Sequence, residues 1–380
     1  MQPDILLIMK VPYFEPWITD NDKKNVIKSL NQRWLTNGPF LSKFENKFQN
    51  YINSKYALGV GSATHALHLS NRALGIGPGD EVIVPTFTFA ATANSVLYCG
   101  ATVVLADIDP STFNISLKSI KNLITKKTKA IIPVHYGGQS CDMDEIMSIA
   151  KKNKLKVIED CAHSLGSKFN NSFCGTMGDV GCFSFYPTKI ITTGEGGMIT
   201  TNKNNLLKKF KQLRSQGMDI TPNQREKLIQ WKYDVVDLGY NYRLDEIRSS
   251  LGLSQLNRIN NINKLRIKIA DKYNKLLKNI KGISLPVIKS NRNHIFHLYS
   301  IKIEKEYNLT RNELFKKLYN KNIGTSVQYY PLHLMSYNKN KYNNLDFPVA
   351  NKIKNQILCL PIFPTMTQKQ IQYVASNLVN

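Results

Sequence analysis

The sequence predicts an α/β protein built on a mostly parallel sheet with helices on both faces. Three observations predict it. Short continuous apolar runs, such as EVIVP (Glu81–Pro85) and the first residues of KVIED (Lys156–Asp160), read as strands covered on both sides. Helical patterns alternate with these runs through the first half of the chain. The residues best suited to chemistry, Asp160, Lys189 and the turn Gly61–Thr64, all fall at strand ends, where open α/β sheets carry their sites. At 380 residues the chain is long enough for two domains with buried cores.

Residues 1 to about 20 read as an arm. DNDKKNVIKSLNQ (Asp20–Gln32) comes next as a helix with an Asp cap and apolar Val26, Ile27 and Leu30. WLTNGP (Trp34–Pro39) is a loop. FLSKFENKFQNYI (Phe40–Ile52) is a second helix whose aromatics, Phe40, Phe44, Phe48 and Tyr51, recur at core spacing. A strand at Tyr56–Val60 runs through Gly61–Thr64 into a helix ending near Leu74. Strands are then expected at Glu81–Pro85, Thr102–Ala106, Ala130–Val134, Lys156–Asp160, Asp179–Tyr186 and Gly196–Thr201. Helices come after Thr86 and occupy about 117–123, 143–151 and 205–215. From Leu244 to Lys278 the pattern is long helices. Beyond Gly282 it changes to short strands (His294–Ile303, Asn355–Phe363) and helices (Arg311–Asn322, Thr367–Val379), which puts a domain boundary near residue 262.

The net charge of +24 raises a nucleic-acid or membrane-surface partner. The cations are 41 lysines against 10 arginines, in solvated patches such as KKNKLK (Lys151–Lys156) and beside abundant Asn and Ile. That pattern is compositional, and no clustering with stacking aromatics accompanies it. No apolar run approaches the length of a membrane span. ILLIM (Ile5–Met9) lacks the basic region of a signal peptide. Six cysteines without CxxC spacing indicate free thiols, a reducing cytoplasmic setting and no zinc.

One stretch organises the chain: FSFYPTKIITTGEGG (Phe183–Gly197). Pro187 stops strand pairing, so Lys189 sits on a loop at a strand end among apolar and small neighbours. Such surroundings lower an ammonium pKa, as a Schiff-base lysine requires. The plain alternative is a loop lysine in water. The amides at Gly61–Thr64 can hold a phosphate with the Thr64 hydroxyl, or form an ordinary helix cap. KVIEDCAHSLG (Lys156–Gly166) ends a strand in two carboxylates. One can cap the turn after the strand. Asp160 can instead pair with a pyridinium nitrogen, with His163 within reach of the same ring. His65 and His68 read as packing or surface residues, as do His294, His297 and His333.

EDCAHSLG, FSFYPTK and ITTGEGGMITT resemble the DegT/DnrJ/EryC1/StrS family of sugar aminotransferases. So do WLTNGP, GSATHALHL (Gly61–Leu69), GPGDEVIVPTFTFAATANSV (Gly77–Val96), DVVDLGYNYRLDEIRSSLGLSQL (Asp234–Leu256) and IGTSVQYYPLHL (Ile323–Leu334), all in the family's order. The resemblance implies a pyridoxal 5'-phosphate enzyme with the type I aminotransferase fold. Residues 1–261 would form a large cofactor-binding domain with a mostly parallel seven-stranded sheet, and 262–380 a small α+β domain. By resemblance, Lys189 matches the lysine that binds the cofactor's aldehyde and shuttles the proton. Asp160 matches the partner of the pyridine nitrogen, and His163 the position bonded to the phenolic oxygen. Phe89 matches the aromatic that stacks on the ring. Ala63, Thr64 and Ser184 match the phosphate contacts, and Asn241 a residue that reaches the phosphate in the neighbouring subunit of a homodimer. Arg243 is a candidate for the donor carboxylate or the substrate. The implied reaction is ping-pong transfer of the amino group of L-glutamate to a ketone of a nucleotide-linked deoxy-hexose, at C4 rather than C3. Perosamine-type members tend to carry Glu where this chain has His163. A basic nucleic-acid-binding protein and a cofactor-binding regulator are the readings from other classes.

Overall fold

The computed structural model describes residues 9–220, 222–338 and 341–379. Seven strands form the main sheet: β1 (Tyr56–Val60), β2 (Glu81–Pro85), β3 (Thr102–Ala106), β4 (Thr128–Ile131), β5 (Lys156–Asp160), β6 (Val180–Ser184) and β7 (Gly197–Thr201). Their spatial order is β1-β7-β6-β5-β4-β2-β3. Only β7 runs antiparallel to its neighbours, β1 and β6. Val82, Ile83 and Val84 are successive and all fully buried, which is the reason these strands read as continuous apolar runs rather than alternating ones.

The register sets the site. Val60, Gly197 and Ser184 lie in one row across β1, β7 and β6. The helix Ala63–Ala73 starts directly above that row, with Ser62 as its N-cap. Gly197 is needed there: a Cβ would lie 2.5 Å from the carbonyl carbon of Ser62 and 2.8 Å from the amide of Ala63. No side chain fits between the strand and the helix start.

Two expectations at the N-terminus are corrected. The first helix, Asp20–Leu30, is capped by Thr19 rather than by an Asp. Thr19 and Asp22 bond each other's backbone reciprocally, an arrangement that needs the acid at the third helical position. Its apolar residues Ile27 and Leu30 face outward, because the buried side is Asp22, paired with Arg258. In the second helix, Pro39–Ile52, Phe44 and Phe48 are fully buried, but Phe40 and Tyr51 only partly so. That helix receives its cap from far away: the Glu246 carboxylate accepts the amides of Gly38, Phe40 and Leu41 at 2.7–3.0 Å.

A second, antiparallel sheet joins Ile283–Ser284, Tyr299–Ile303 and Ile357–Leu360. The strand expected from His294 begins only at Tyr299. Phe296 takes a left-handed conformation (φ 50°), and the amides of Ile295 and Leu298 bond Gly138 and Gly137 instead of a strand partner. The helix Ile259–Leu277 runs unbroken through residue 262. Its first turns, with Ile259 and Ile262, pack beside Phe44 and Phe185. Its later turns, with Ile269, Tyr273 and Leu277, pack against the second sheet. The six cysteines are all free and buried. Among the described residues, no helix is long and apolar enough to cross a membrane.

Candidate active site

Asp160 ends β5 and its side chain is buried. One carboxylate oxygen accepts the Thr92 hydroxyl at 2.8 Å, the other the Ala162 amide at 3.1 Å. With its proton committed to Asp160, Thr92 accepts from Thr88 at 2.9 Å. Burial pushes the Asp160 pKa up, partly offset by these hydrogen bonds and by the charge of Lys189.

Lys189 comes after β6 on a loop whose geometry is fixed by two backbone bonds. The Lys189 amide donates to Tyr186, and the Thr193 amide returns to Phe185. Burial lowers the Lys189 pKa to about 8, while Asp160 acts in the opposite direction. Among the described residues no hydrogen bond or ion pair holds its ammonium group.

His163 lies in the turn after β5, packed at 4.4 Å against His297. Its Nδ1 accepts the Gly137 amide at 3.3 Å, so in the neutral ring the proton resides on Nε2. Nε2 faces the Tyr329 hydroxyl at 2.9 Å. The Tyr329 ring lies 6.3 Å from Phe89, which caps the helix Ala90–Leu97 and is 63% exposed. Phe89 thus offers an open aromatic face beside buried polar groups.

At the other end of the site, Ser62 Oγ accepts the His65 amide, while the amides of Ala63 and Thr64 have no partner among the described residues. Ser184 lies one strand away in the row through Gly197. The segment 241–243 runs beside β1: Gly61 donates to Tyr242, Arg243 bridges to Val60, and Asn241 bridges to Ser215. Asn241 is exposed, and neither it nor Arg243 is joined to Asp160 or Lys189 by a hydrogen bond or ion pair among the described residues.

The set fits a flat, anionic aromatic aldehyde. It provides amide donors at a helix start for a phosphate, a buried carboxylate for a ring nitrogen, a ring for stacking and a lysine of depressed pKa. Tyr329, Thr92 and Thr88 were not singled out from sequence. The segments TFTFAATANSV and IGTSVQYYPLHL were the signals that contained them. Conversely His297, read as core or surface, proves to be a buried neighbour of His163.

Residues 16–379 match the DegT/DnrJ/EryC1/StrS aminotransferase family. The chain belongs to this family. It is 38% identical to GDP-perosamine synthase of Caulobacter vibrioides, over 96% of both chains. Its fold matches Spr1654 of Streptococcus pneumoniae in the PLP form (TM-score 0.91, 29% identity, 97% and 98% of the two chains). It also matches PseC of Helicobacter pylori, an aminotransferase involved in the biosynthesis of pseudoaminic acid (TM-score 0.91, 30% identity, 97% and 98%). As a member, the protein is a pyridoxal-phosphate-dependent nucleotide-sugar aminotransferase.

The buried histidines around this site make stability depend on pH. Burial holds His163 and His297 well below the ordinary value of 6.5 and lowers His294 to about 3. For each, the unfolded chain binds a proton that the folded chain refuses. The contribution of these three rings is therefore complete above pH 6.5 and falls as the solution is acidified below it, by up to about 1.4 kcal/mol per group per pH unit, against the opposite tendency of His135 and Asp160, whose pKa values are raised. The urea midpoint of cofactor-free protein is expected to drop clearly between pH 7.5 and 5.5. An unchanged midpoint would show that these rings are not buried neutral.

Proposed function

We propose that the protein transfers the amino group of L-glutamate to the C4 ketone of a nucleotide-linked deoxy-hexose. The observation that carries the reading is Lys189: a buried lysine with a pKa of about 8, with no hydrogen bond or ion pair among the described residues, within the field of the buried carboxylate of Asp160. Pyridoxal phosphate, when bound, supplies an aldehyde that captures amines and a conjugated ring that takes up electron density. Lys189 would act as the base and acid, taking the proton from the donor's α-carbon and giving it back within the site. Asp160 would keep the ring nitrogen protonated. His163, whose Nε2 faces the Tyr329 hydroxyl, would serve the phenolic oxygen together with that hydroxyl. Phe89 would stack on the ring, and Ala63, Thr64 and Ser184 would hold the phosphate. One site serves donor and acceptor in turn, which gives ping-pong kinetics. Arg243 is a candidate for the donor carboxylate or the sugar nucleotide.

We also propose a homodimer in which Asn241 completes the neighbouring site. Exposed apolar residues support it, since clustered ones mark interfaces: Ile27, Leu30, Trp34 and Leu35, and, close together in sequence before Asn241, Leu228, Ile229, Trp231, Val235, Val236 and Leu238. The division between a large and a small domain is proposed along the helix Ile259–Leu277, where its packing partners change.

The similarity to GDP-perosamine synthase supports C4 over C3. The test is a side-by-side assay of 4-keto and 3-keto nucleotide hexoses with glutamate-loaded enzyme. Amine formation from the 4-keto substrates is expected. Turnover confined to 3-keto substrates would replace C4 by C3.

A further inference from the structure

A second cavity, of about 430 Å³, opens on the face formed by the helix Ile259–Leu277, the loop after His163 and the end of the helix Pro39–Ile52. Three lysines line it, Lys168, Lys264 and Lys268, and no carboxylate does. Its wall is aromatic: Tyr51 and Phe173 lie 5.4 Å apart, with Lys168 Nζ 4.4 Å from the centre of the Phe173 ring. Its polar lining is amide-rich, from Asn260, Asn263 and Asn293.

Asn263 is the informative residue. It is 7% exposed, its Nδ2 donates to Leu165 at 3.3 Å, and its Oδ1 has no partner. A buried amide oxygen without a donor costs on the order of 1–3 kcal/mol, so such groups are rarely left unpaired. The close fit around it is built in: a Cβ on Gly166, which has φ +100°, would lie 2.3 Å from Asn263 Nδ2 and 2.8 Å from the Tyr51 hydroxyl. Burial raises the Tyr51 pKa to about 12, so at neutral pH the cavity also offers a phenolic O–H beside Asn263.

We infer that this cavity is a second, non-catalytic site that binds a nucleoside diphosphate. The three ammonium groups match the charge of a diphosphate. The Tyr51–Phe173 wall and Ile267 offer apolar contact to a base, the Asn260 and Asn293 amides offer polar partners to a ribose, and the Asn263 oxygen, sealed beside the Tyr51 hydroxyl, accepts from a base amine once its side chain turns toward the cavity. None of its lining residues is among the exposed apolar residues around Asn241, and it is joined to the reaction centre by a short path. Gly166 is three residues from His163 along one turn. Occupancy of the cavity therefore bears on the loop that holds His163, and the site is placed to report the level of free nucleotide to the enzyme. This inference does not depend on which ketone the enzyme aminates.

The test is calorimetric titration of the cofactor-loaded protein with GDP, UDP and inorganic pyrophosphate, in wild type, in the double variant Lys264→Glu/Lys268→Glu, and in a control reversal elsewhere, Lys208→Glu/Lys209→Glu. Circular dichroism checks that each variant is folded. The expected result is a wild-type binding event weakened about tenfold or more by reversal at 264 and 268 and unchanged in the control, with the rate of the glutamate half-reaction unaltered in both. Equal weakening in the control would reduce the effect to general surface charge and overturn the site. Binding insensitive to both reversals would put the nucleotide elsewhere, and absence of binding at millimolar nucleotide would also overturn it. Pyrophosphate binding as tightly as GDP and UDP would overturn the nucleotide assignment.

Discussion

Replacing Lys189 by alanine is expected to lower transamination by about four orders of magnitude or more, since its proposed role combines a covalent anchor with a proton carrier. The pKa of about 8 explains why this lysine suits the task. Relative to an ordinary lysine near 10.5, the shift raises the share of free base near neutral pH by roughly 300-fold. Arginine in its place keeps the charge and cannot give up its proton, so Lys189→Arg should be as inactive as alanine. The measurement is the glutamate half-reaction monitored by absorbance, with borohydride trapping as a second readout. The variant should bind cofactor without becoming fixed to it by borohydride. Activity within tenfold of wild type would remove Lys189 from the chemistry.

Replacing Glu159 by leucine is expected to cost on the order of 5 kcal/mol of stability, comparable to the whole stability of many domains. Glu159 is fully buried next to Asp160, yet its role is different. One oxygen accepts the amides of Met177 and Gly178 at 2.8 and 2.7 Å. The other accepts the Gly175 amide at 2.8 Å and His135 Nε2 at 2.9 Å. His135 Nδ1 accepts the Cys141 amide, so Nε2 carries the proton and all four neighbours of the carboxylate are donors. Leucine leaves all four unpaired around a fully buried side chain. Glutamine is not conservative here either, because its NH₂ group must face two donors. Thermal unfolding and soluble yield measure the loss. Asp160→Asn provides the contrast: it should remain folded and lose activity. A Glu159→Leu protein as stable as wild type would mean that the loop 175–178 finds other partners.

The two acids show how far the sequence could be read. A strand ending in two carboxylates, one for a cap and one for chemistry, was visible in KVIED. The loop amides that engage Glu159 lie some fifteen to twenty residues downstream and carry no distinctive side chains. The parallel sheet was legible because doubly covered strands leave continuous apolar runs. The outward face of the first helix was not, because periodicity gives a stripe and not the partner that covers it. Ile27 and Leu30 obey the helical spacing and still face out. Tyr329 was hidden for another reason. Its meeting with His163 joins residues 166 positions apart, and nothing local to either marks the contact.

The place of β1 in the sheet has a consequence for how the protein is made. In the main sheet β1 pairs only with β7, so the turn Gly61–Thr64 has no fixed place until Gly197–Thr201 has been added. A nascent chain that has just emerged through Ser184 carries Asp160, His163 and Phe89 but not Lys189 or the strand that docks the helix start. Domains made on the ribosome fold as units once their pairing partners exist. With the proposed cofactor contacts, cofactor capture is expected late in the life of the chain, and C-terminal truncations before residue 197 are expected to yield no fragment able to grip it, which cofactor absorbance of such fragments would check.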